Sequence, residues 1–345
     1  MSRLPAWLSY RTLAAVGLAA TLLAAACSPA PAQPAQPAAP AAPAGGSNAA
    51  PAKAVPAAPA VAVDPEIAAL GYARPELLVS TGWLAQHVND ADLRIVDVRP
   101  ADKYAAGHLP NAISIPSGVM NVTVGKITNE LPPKDKLEEM LGSAGISNDA
   151  RIVLYDDQRS LWAARAYFVL DYYGHKNISI LNGGNPKWEK ETREITRQVA
   201  KLSPVKYTAT ASSSKLATRD YVLANLKNLS IGVCDTRTPK EYAGTDVRAA
   251  RGGHIPDAKN VNWETTMSGA DPGAVFKPAA EIAKLYHAQG LTKDKEIITL
   301  CQSGVRAAHG YFTHQLLGYT KVRNYDGSWE DWGNDQTTPI EKPTA

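Results

Sequence analysis

The chain has 345 residues, 45% of them hydrophobic, roughly two ordinary domains' worth of sequence. Arg3, Arg11 and Lys53 are the only charged residues among the first 63; the remainder balances 33 basic against 33 acidic side chains, so the formal charge of +3 lies wholly in the N-terminal stretch. That balance excludes the clustered positive field of a nucleic-acid binder. Aromatic and charged fractions of 7% and 20% exclude general disorder, and three cysteines (Cys27, Cys234, Cys301) are too few for a disulfide scaffold.

Arg3 and Arg11 form a short basic start, Leu13 to Leu23 an apolar run, and Ala24-Ala25-Ala26 a small-residue stretch before Cys27. This is the layout of a secretory signal peptide over residues 1–27, too short for a membrane span. The last residues resemble a bacterial lipobox, in which Cys27 is lipidated and becomes the new N-terminus. Leu23 sits one position earlier than usual, so ordinary cleavage leaving a free Cys27 thiol stays open. Ser28 resembles the signal for outer-membrane sorting in Gram-negative bacteria. The expected address is a lipid-anchored protein at the outer membrane facing the periplasm, with a soluble periplasmic protein as the alternative. Residues 28–63 hold 16 Ala and 9 Pro, a composition that cannot offset its ordering entropy and makes an extended spacer.

Residues 64–345 read as a duplication, with domains expected over 64–205 and 206–345. Ile95-Val96-Asp97-Val98-Arg99 is matched by Val233-Cys234-Asp235-Thr236-Arg237, and Gly107-His108-Leu109-Pro110 by Gly253-His254-Ile255-Pro256. Aligning Asp157 with Cys301 also aligns Ala163-Ala164 with Ala307-Ala308, Gly183 with Gly327 and Trp188 with Trp332.

In chain order, each half alternates strand and helix. Lys134–Leu141 is amphipathic, begins near a proline and ends before Gly145; Ile152–Leu154 and Ile178–Leu181 are Val/Ile-rich runs typical of strands buried on both faces. Ile231–Cys234, the amphipathic Pro278–Ala288 ending before Gly290, and Ile297–Leu300 repeat that series. The expected fold is α/β, each domain a small parallel sheet covered by helices on both faces. In such sheets chemistry collects where strand ends lead into helix N-termini.

One such junction is Cys301-Gln302-Ser303-Gly304-Val305-Arg306, followed by the helical Ala307–Leu317. A cysteine there faces backbone N–H groups and the positive end of a helix, both of which stabilise a thiolate and an attached anion. Gly304 permits the turn that points N–H groups inward, and Arg306 adds a permanent cation with bidentate geometry. Cys234 lies inside an apolar run with no glycine loop after it and reads as core; no group of residues has metal-ligand spacing.

With the Asp-x-Arg pairs, the Gly-His-(Leu/Ile)-Pro boxes, the 301–306 loop and Tyr325-Asp326-Gly327-Ser328-Trp329, residues 70–335 resemble a two-domain rhodanese-type sulfurtransferase. The resemblance implies a tandem of rhodanese-like domains, the first inactive with Asp157 in the cysteine's place, the second catalytic. It implies that Cys301 takes a sulfane sulfur from a small anionic donor as a persulfide and passes it to a thiophilic acceptor such as cyanide or a thiol, without a cofactor or an obligate protein partner. Cysteine-dependent phosphatases place five residues between Cys and Arg; four lie between Cys301 and Arg306. Gln302 and Ser303 stand where thiosulfate-preferring relatives often carry basic residues, and Ser303-Gly304-Val305 matches the mercaptopyruvate type, but Arg306 replaces its Thr. Arg306 favours thiosulfate, with 3-mercaptopyruvate as the alternative donor and a non-catalytic sulfur-binding or docking module as the alternative class.

The candidate site is therefore Cys301 as nucleophile, with Gln302, Ser303, Gly304, Val305 and Arg306 as its cradle. Arg248 and Arg251, in a Gly-rich loop where relatives place substrate-facing cations, are the remaining donor-binding candidates. Asp97–Arg99 and Asp235–Arg237 read as structural pairs, His108 and His254 as turn-orienting residues, and Trp329 and Trp332 as core closure.

Overall fold

A computed structural model describes residues 63–342. The expected signal peptide, Cys27 and nearly all of the expected spacer lie outside the described residues. The strands are β1 (Leu78–Val79), β2 (Leu93–Asp97), β3 (Ala112–Ser114), β4 (Val122–Val124), β5 (Ile127–Glu130), β6 (Arg151–Tyr155), β7 (Ile178–Leu181), β8 (Leu216–Ala217), β9 (Ile231–Asp235), β10 (Lys259–Asn260), β11 (Glu296–Leu300) and β12 (Val322–Tyr325). They form two five-stranded sheets of identical order, β1-β7-β6-β2-β3 and β8-β12-β11-β9-β10, every pairing parallel. Parallel neighbours need helix-bearing crossovers, and the central strands are buried along nearly their whole length, as the apolar runs require.

Local signals set the helix ends. Ser80 and Thr218, at corresponding places in the two halves, accept from the N–H groups of Trp83 and Tyr221 and start the helices Thr81–His87 and Arg219–Ala224. Pro133 and Pro278 stand immediately before Lys134–Ser143 and Ala279–Ala288, and Thr238 closes a capping box with Glu241 at the start of Pro239–Ala243. The halves meet through the helices Leu161–Tyr172 and Val305–Leu316, which are buried nearly all round. Tyr167 packs edge-on against Phe312 with ring centres 4.9 Å apart, and Phe168 against Tyr311 at 5.0 Å. These contacts are related by a pseudo-two-fold, each worth about 1 kcal/mol beyond the area it buries, and one apolar core runs continuously through both halves.

One difference between the halves is an inserted feature. β4 and β5 form an antiparallel hairpin that leans on the second domain, whereas the corresponding stretch there shows a single bridge, Met267 to Phe276.

Candidate active site

Cys301 is the first residue after β11 and is 1% exposed. Its loop is held from beneath by Ser328, whose hydroxyl accepts the N–H groups of Cys301 (3.0 Å) and Gly304 (3.2 Å) and donates to the Tyr325 carbonyl (2.8 Å). Trp329 and Glu330 donate their N–H groups to the carbonyls of Cys301 and Gln302. The N–H groups of Gln302, Ser303, Val305 and Arg306 have no acceptor among the described residues, and they follow the cysteine directly in the loop. Gly304 has φ +79°, and a Cβ there would sit 2.6 Å from Asp326 Oδ1, so both backbone conformation and space demand glycine. Val305 opens the helix and is buried, so it contributes backbone and packing.

Arg306 does not stand as a free fork. Its Nη1 and Nη2 donate to Oε2 and Oε1 of fully buried Glu241 at 2.7 and 2.8 Å. Burial would raise the Glu241 carboxyl, but hydrogen bonding and the charge of Arg306 outweigh it and hold the group at about 2. Burial likewise opposes the Arg306 cation, and Glu241 together with the charge of Cys301 more than restores it, so its pKa rises. Arg248 lies half-exposed beside this pair, 3.7 Å from Glu241 and 2.7 Å from Asp246, and its carbonyl accepts from Gln302 Nε2 at 3.0 Å. The 241–248 segment thus borders the loop through Gln302 and Arg306.

Arg251 belongs elsewhere. Its guanidinium donates to the carbonyls of Trp332, Gly333, Asp335 and Thr338, stapling the C-terminal segment, so its donors are already committed. A Gly-rich loop in sequence does not reveal that the chain's end returns to fill it. The Asp-Arg motifs are structural as expected: Arg99 and Arg237 bind Asp97 and Asp235 side-on and donate to the carbonyls of Gly107 and Gly253 at 2.8 Å. His108 and His254 stack on Tyr104 and Tyr242 and hold their carbonyls. Trp329 and Trp332 are buried and close the core. Cys234 is a buried free thiol, pushed up by desolvation and by Asp235, and Cys301 is also unbridged.

The first domain corrects the expected register. Counting from the strand, Asp156 rather than Asp157 takes the cysteine's place: it follows β6 directly, and its carbonyl accepts from Asn185 as that of Cys301 accepts from Trp329. The loop is one residue longer before its helix, which is why alignment on the helices points to Asp157. Asp157 turns outward to Lys103. The Asp156 carboxylate folds back and accepts the N–H groups of Gln158 (3.0 Å), Ser160 (3.0 Å), Trp162 (2.7 Å) and Ala163 (3.0 Å). In the helix register these correspond to Gln302, Gly304, Arg306 and Ala307. The first-domain loop thus fills its own cradle of N–H groups with its own side chain.

Two features escaped the sequence reading. Arg165, fully buried on the Leu161–Tyr172 helix, pairs with Asp326 directly behind Gly304 and donates to Asn121 Oδ1 (2.7 Å) and the Asn129 carbonyl. It joins the domains under the loop. The β4–β5 hairpin supplies Asn129, whose Nδ2 donates to Ser303 Oγ (3.2 Å), and Thr128, which donates to Glu330 Oε2 (2.7 Å). Asp326 lay within a recognised motif, but nothing local marks its partner 161 residues away.

The rhodanese-like domain family matches residues 80–191 and 218–335. A sulfur carrier protein of Thermus thermophilus, TtuD, is 36% identical over 79% of this chain and 99% of its own length. A thiosulfate sulfurtransferase of Pseudomonas aeruginosa is 36% identical over 77% of this chain and 97% of its own length. Among solved structures, the 3-mercaptopyruvate sulfotransferase SseA of Escherichia coli superposes with a TM-score of 0.67 at 25% identity, covering 73% of this chain and 98% of that one. Two matched domains, two sheets of identical strand order and one loop built round a cysteine agree: the chain belongs to the rhodanese-like family, with two copies of the domain in tandem.

Proposed function

We propose that this protein is a sulfurtransferase that draws sulfur from thiosulfate through a persulfide on Cys301. The observation that carries the reading is the contrast of the loops: the first holds a carboxylate on four backbone N–H groups, and the second offers comparable groups around a thiol. The Cys301 thiolate attacks the sulfane sulfur of thiosulfate. A Cys S–S bond forms as the S–S bond of the donor breaks, and its electron pair leaves on sulfite. The persulfide anion stays in the cradle until an acceptor such as cyanide attacks the outer sulfur, giving thiocyanate and returning the electron pair to Cys301. Gln302, Ser303, Val305 and Arg306 hold the developing anion through their N–H groups, and Gly304 gives the loop its shape. Arg306, with Arg248 at the rim, attracts the donor. The thiosulfate sulfurtransferases among the relatives support this donor, and the SseA likeness keeps 3-mercaptopyruvate as the second donor to assay.

The test incubates reduced, purified protein with thiosulfate or 3-mercaptopyruvate, then with cyanide, reading thiocyanate and intact mass. Thiocyanate plus one sulfur atom gained on the Cys301 peptide is expected, faster with thiosulfate. Sulfur gain without turnover would make the protein a carrier, and neither would leave a docking module. We also propose export and tethering through lipidated Cys27, supported by the basic start, apolar run and small residues before that cysteine. Radiolabelled palmitate should mark the wild type and not Cys27→Ser.

A further inference from the structure

Glu241 is a buried carboxylate inside a site meant for anions, and the activity proposed above has no step that uses it. It sits on Pro239–Ala243, shares its Oε2 with the N–H and hydroxyl of Thr238 at 3.1 and 2.9 Å, and points both oxygens at Arg306. Arg248 approaches the same carboxylate at 3.7 Å and is met on its other side by Asp246 at 2.7 Å. Two arginines and two carboxylates therefore sum to zero beside a loop that must admit an anion.

We infer that Glu241 sets the charge of the donor pocket, holding Arg306 in place while cancelling its excess attraction, so that the sulfite product leaves as readily as the thiosulfate donor binds. The inference rests on the thiosulfate reading. In mildly alkaline solution thiosulfate and sulfite are both dianions, so surplus positive charge would hold donor and product alike. Such uniform binding lowers KM without raising kcat, and it slows product release. Directional hydrogen bonds from the loop discriminate where bare charge does not. A carboxylate that neutralises Arg306, yet leaves its Nε without a partner among the described residues, keeps the geometry and removes the surplus.

The test compares two substitutions of opposite sign in the purified protein. Glu241→Gln removes a negative charge and keeps a side chain that serves in a capping box. The KM for thiosulfate and the inhibition constant for sulfite should both fall roughly tenfold, while KM for the singly charged 3-mercaptopyruvate falls about threefold, half the effect on a logarithmic scale. The kcat should fall as sulfite lingers. Arg248→Gln, at a half-exposed position that carries no fold risk, should raise both thiosulfate and sulfite constants. Unchanged constants in Glu241→Gln, or a fall in kcat with KM and sulfite inhibition untouched, would make Glu241 a structural anchor and overturn the inference. If Glu241→Gln does not fold, unchanged constants in Arg248→Gln overturn it alone. Absence of thiocyanate from the wild type would instead sink the sulfurtransferase reading.

Discussion

After β6 the chain runs through residues 156–160 to its helix, and after β11 through residues 301–304. The extra residue lets Asp156 curl back and place its carboxylate on the N–H groups that the loop exposes. In the second domain a hydroxyl from Ser328 takes two N–H groups from below, and others remain open. The inward-facing N–H groups thus belong to the strand-loop-helix junction itself, and in the first domain the Asp156 carboxyl occupies them, although burial pushes that group up against their pull. Catalysis needs the opposite arrangement: a nucleophile at the strand end and a cradle left free for a charge that arrives with the substrate.

The sharpest break in this comparison is Cys301→Ser. Thiocyanate formation should fall at least about a thousandfold, with thermal stability unchanged, because the hydroxyl fits the space but is no thiolate. Residual turnover within about tenfold of wild type would place the nucleophile elsewhere. Next, Gly304→Ala should cost about 2 kcal/mol or more, through positive φ and the collision with Asp326, and should slow persulfide formation. Denaturant midpoints and stopped-flow fluorescence would read both. Asp156→Ala leaves four N–H groups, those of Ser160 and Ala163 buried, without their acceptor and should cost about 2 kcal/mol while leaving kcat unchanged. Added sulfate should restore its melting temperature more than it raises that of wild type. Equal responses would mean that the emptied cradle does not hold an anion.

The smallest effect concerns the helices that carry these loops. His309 and His314 lie wholly inside the second-domain helix, where burial holds them at about 3 and about 4, with the Arg159 cation adding to the depression of His309. Unfolded histidines titrate near about 6.5, so below that pH the unfolded chain binds protons that the native state refuses. Their effect is absent above about pH 6.5, and stability declines as pH falls from there towards 4 and 3. Glu241 extends the loss: its contribution is present above about 4.5 and disappears as pH falls through about 2. The corresponding first-domain residues of the two histidines are Arg165 and Leu170, so His314→Leu should flatten the melting temperature between about pH 7 and 4.

How much of this was legible follows from range. The tandem sheets, the Asp-Arg pairs and the Cys301 loop are local patterns repeated at one offset, and repetition makes them visible. Arg165 with Asp326 and Glu241 with Arg306 are pairs whose partners lie 161 and 65 residues apart, and a charged residue alone does not name its counterion. Arg251 misled for the same reason. The shift from Asp157 to Asp156 came from a single inserted residue, which an alignment anchored on helices absorbs without trace.

The clamp under the cysteine has a consequence for the order of assembly. Ser328 lies 27 residues after Cys301, and Trp329 and Glu330, which fix the same loop, lie beyond it. The loop therefore cannot take its shape until the residues up to Glu330 have left the ribosome. Until then the N–H groups around Cys301 have no fixed arrangement. A chain cut between Cys301 and Ser328 would carry the cysteine without the clamp that shapes its loop.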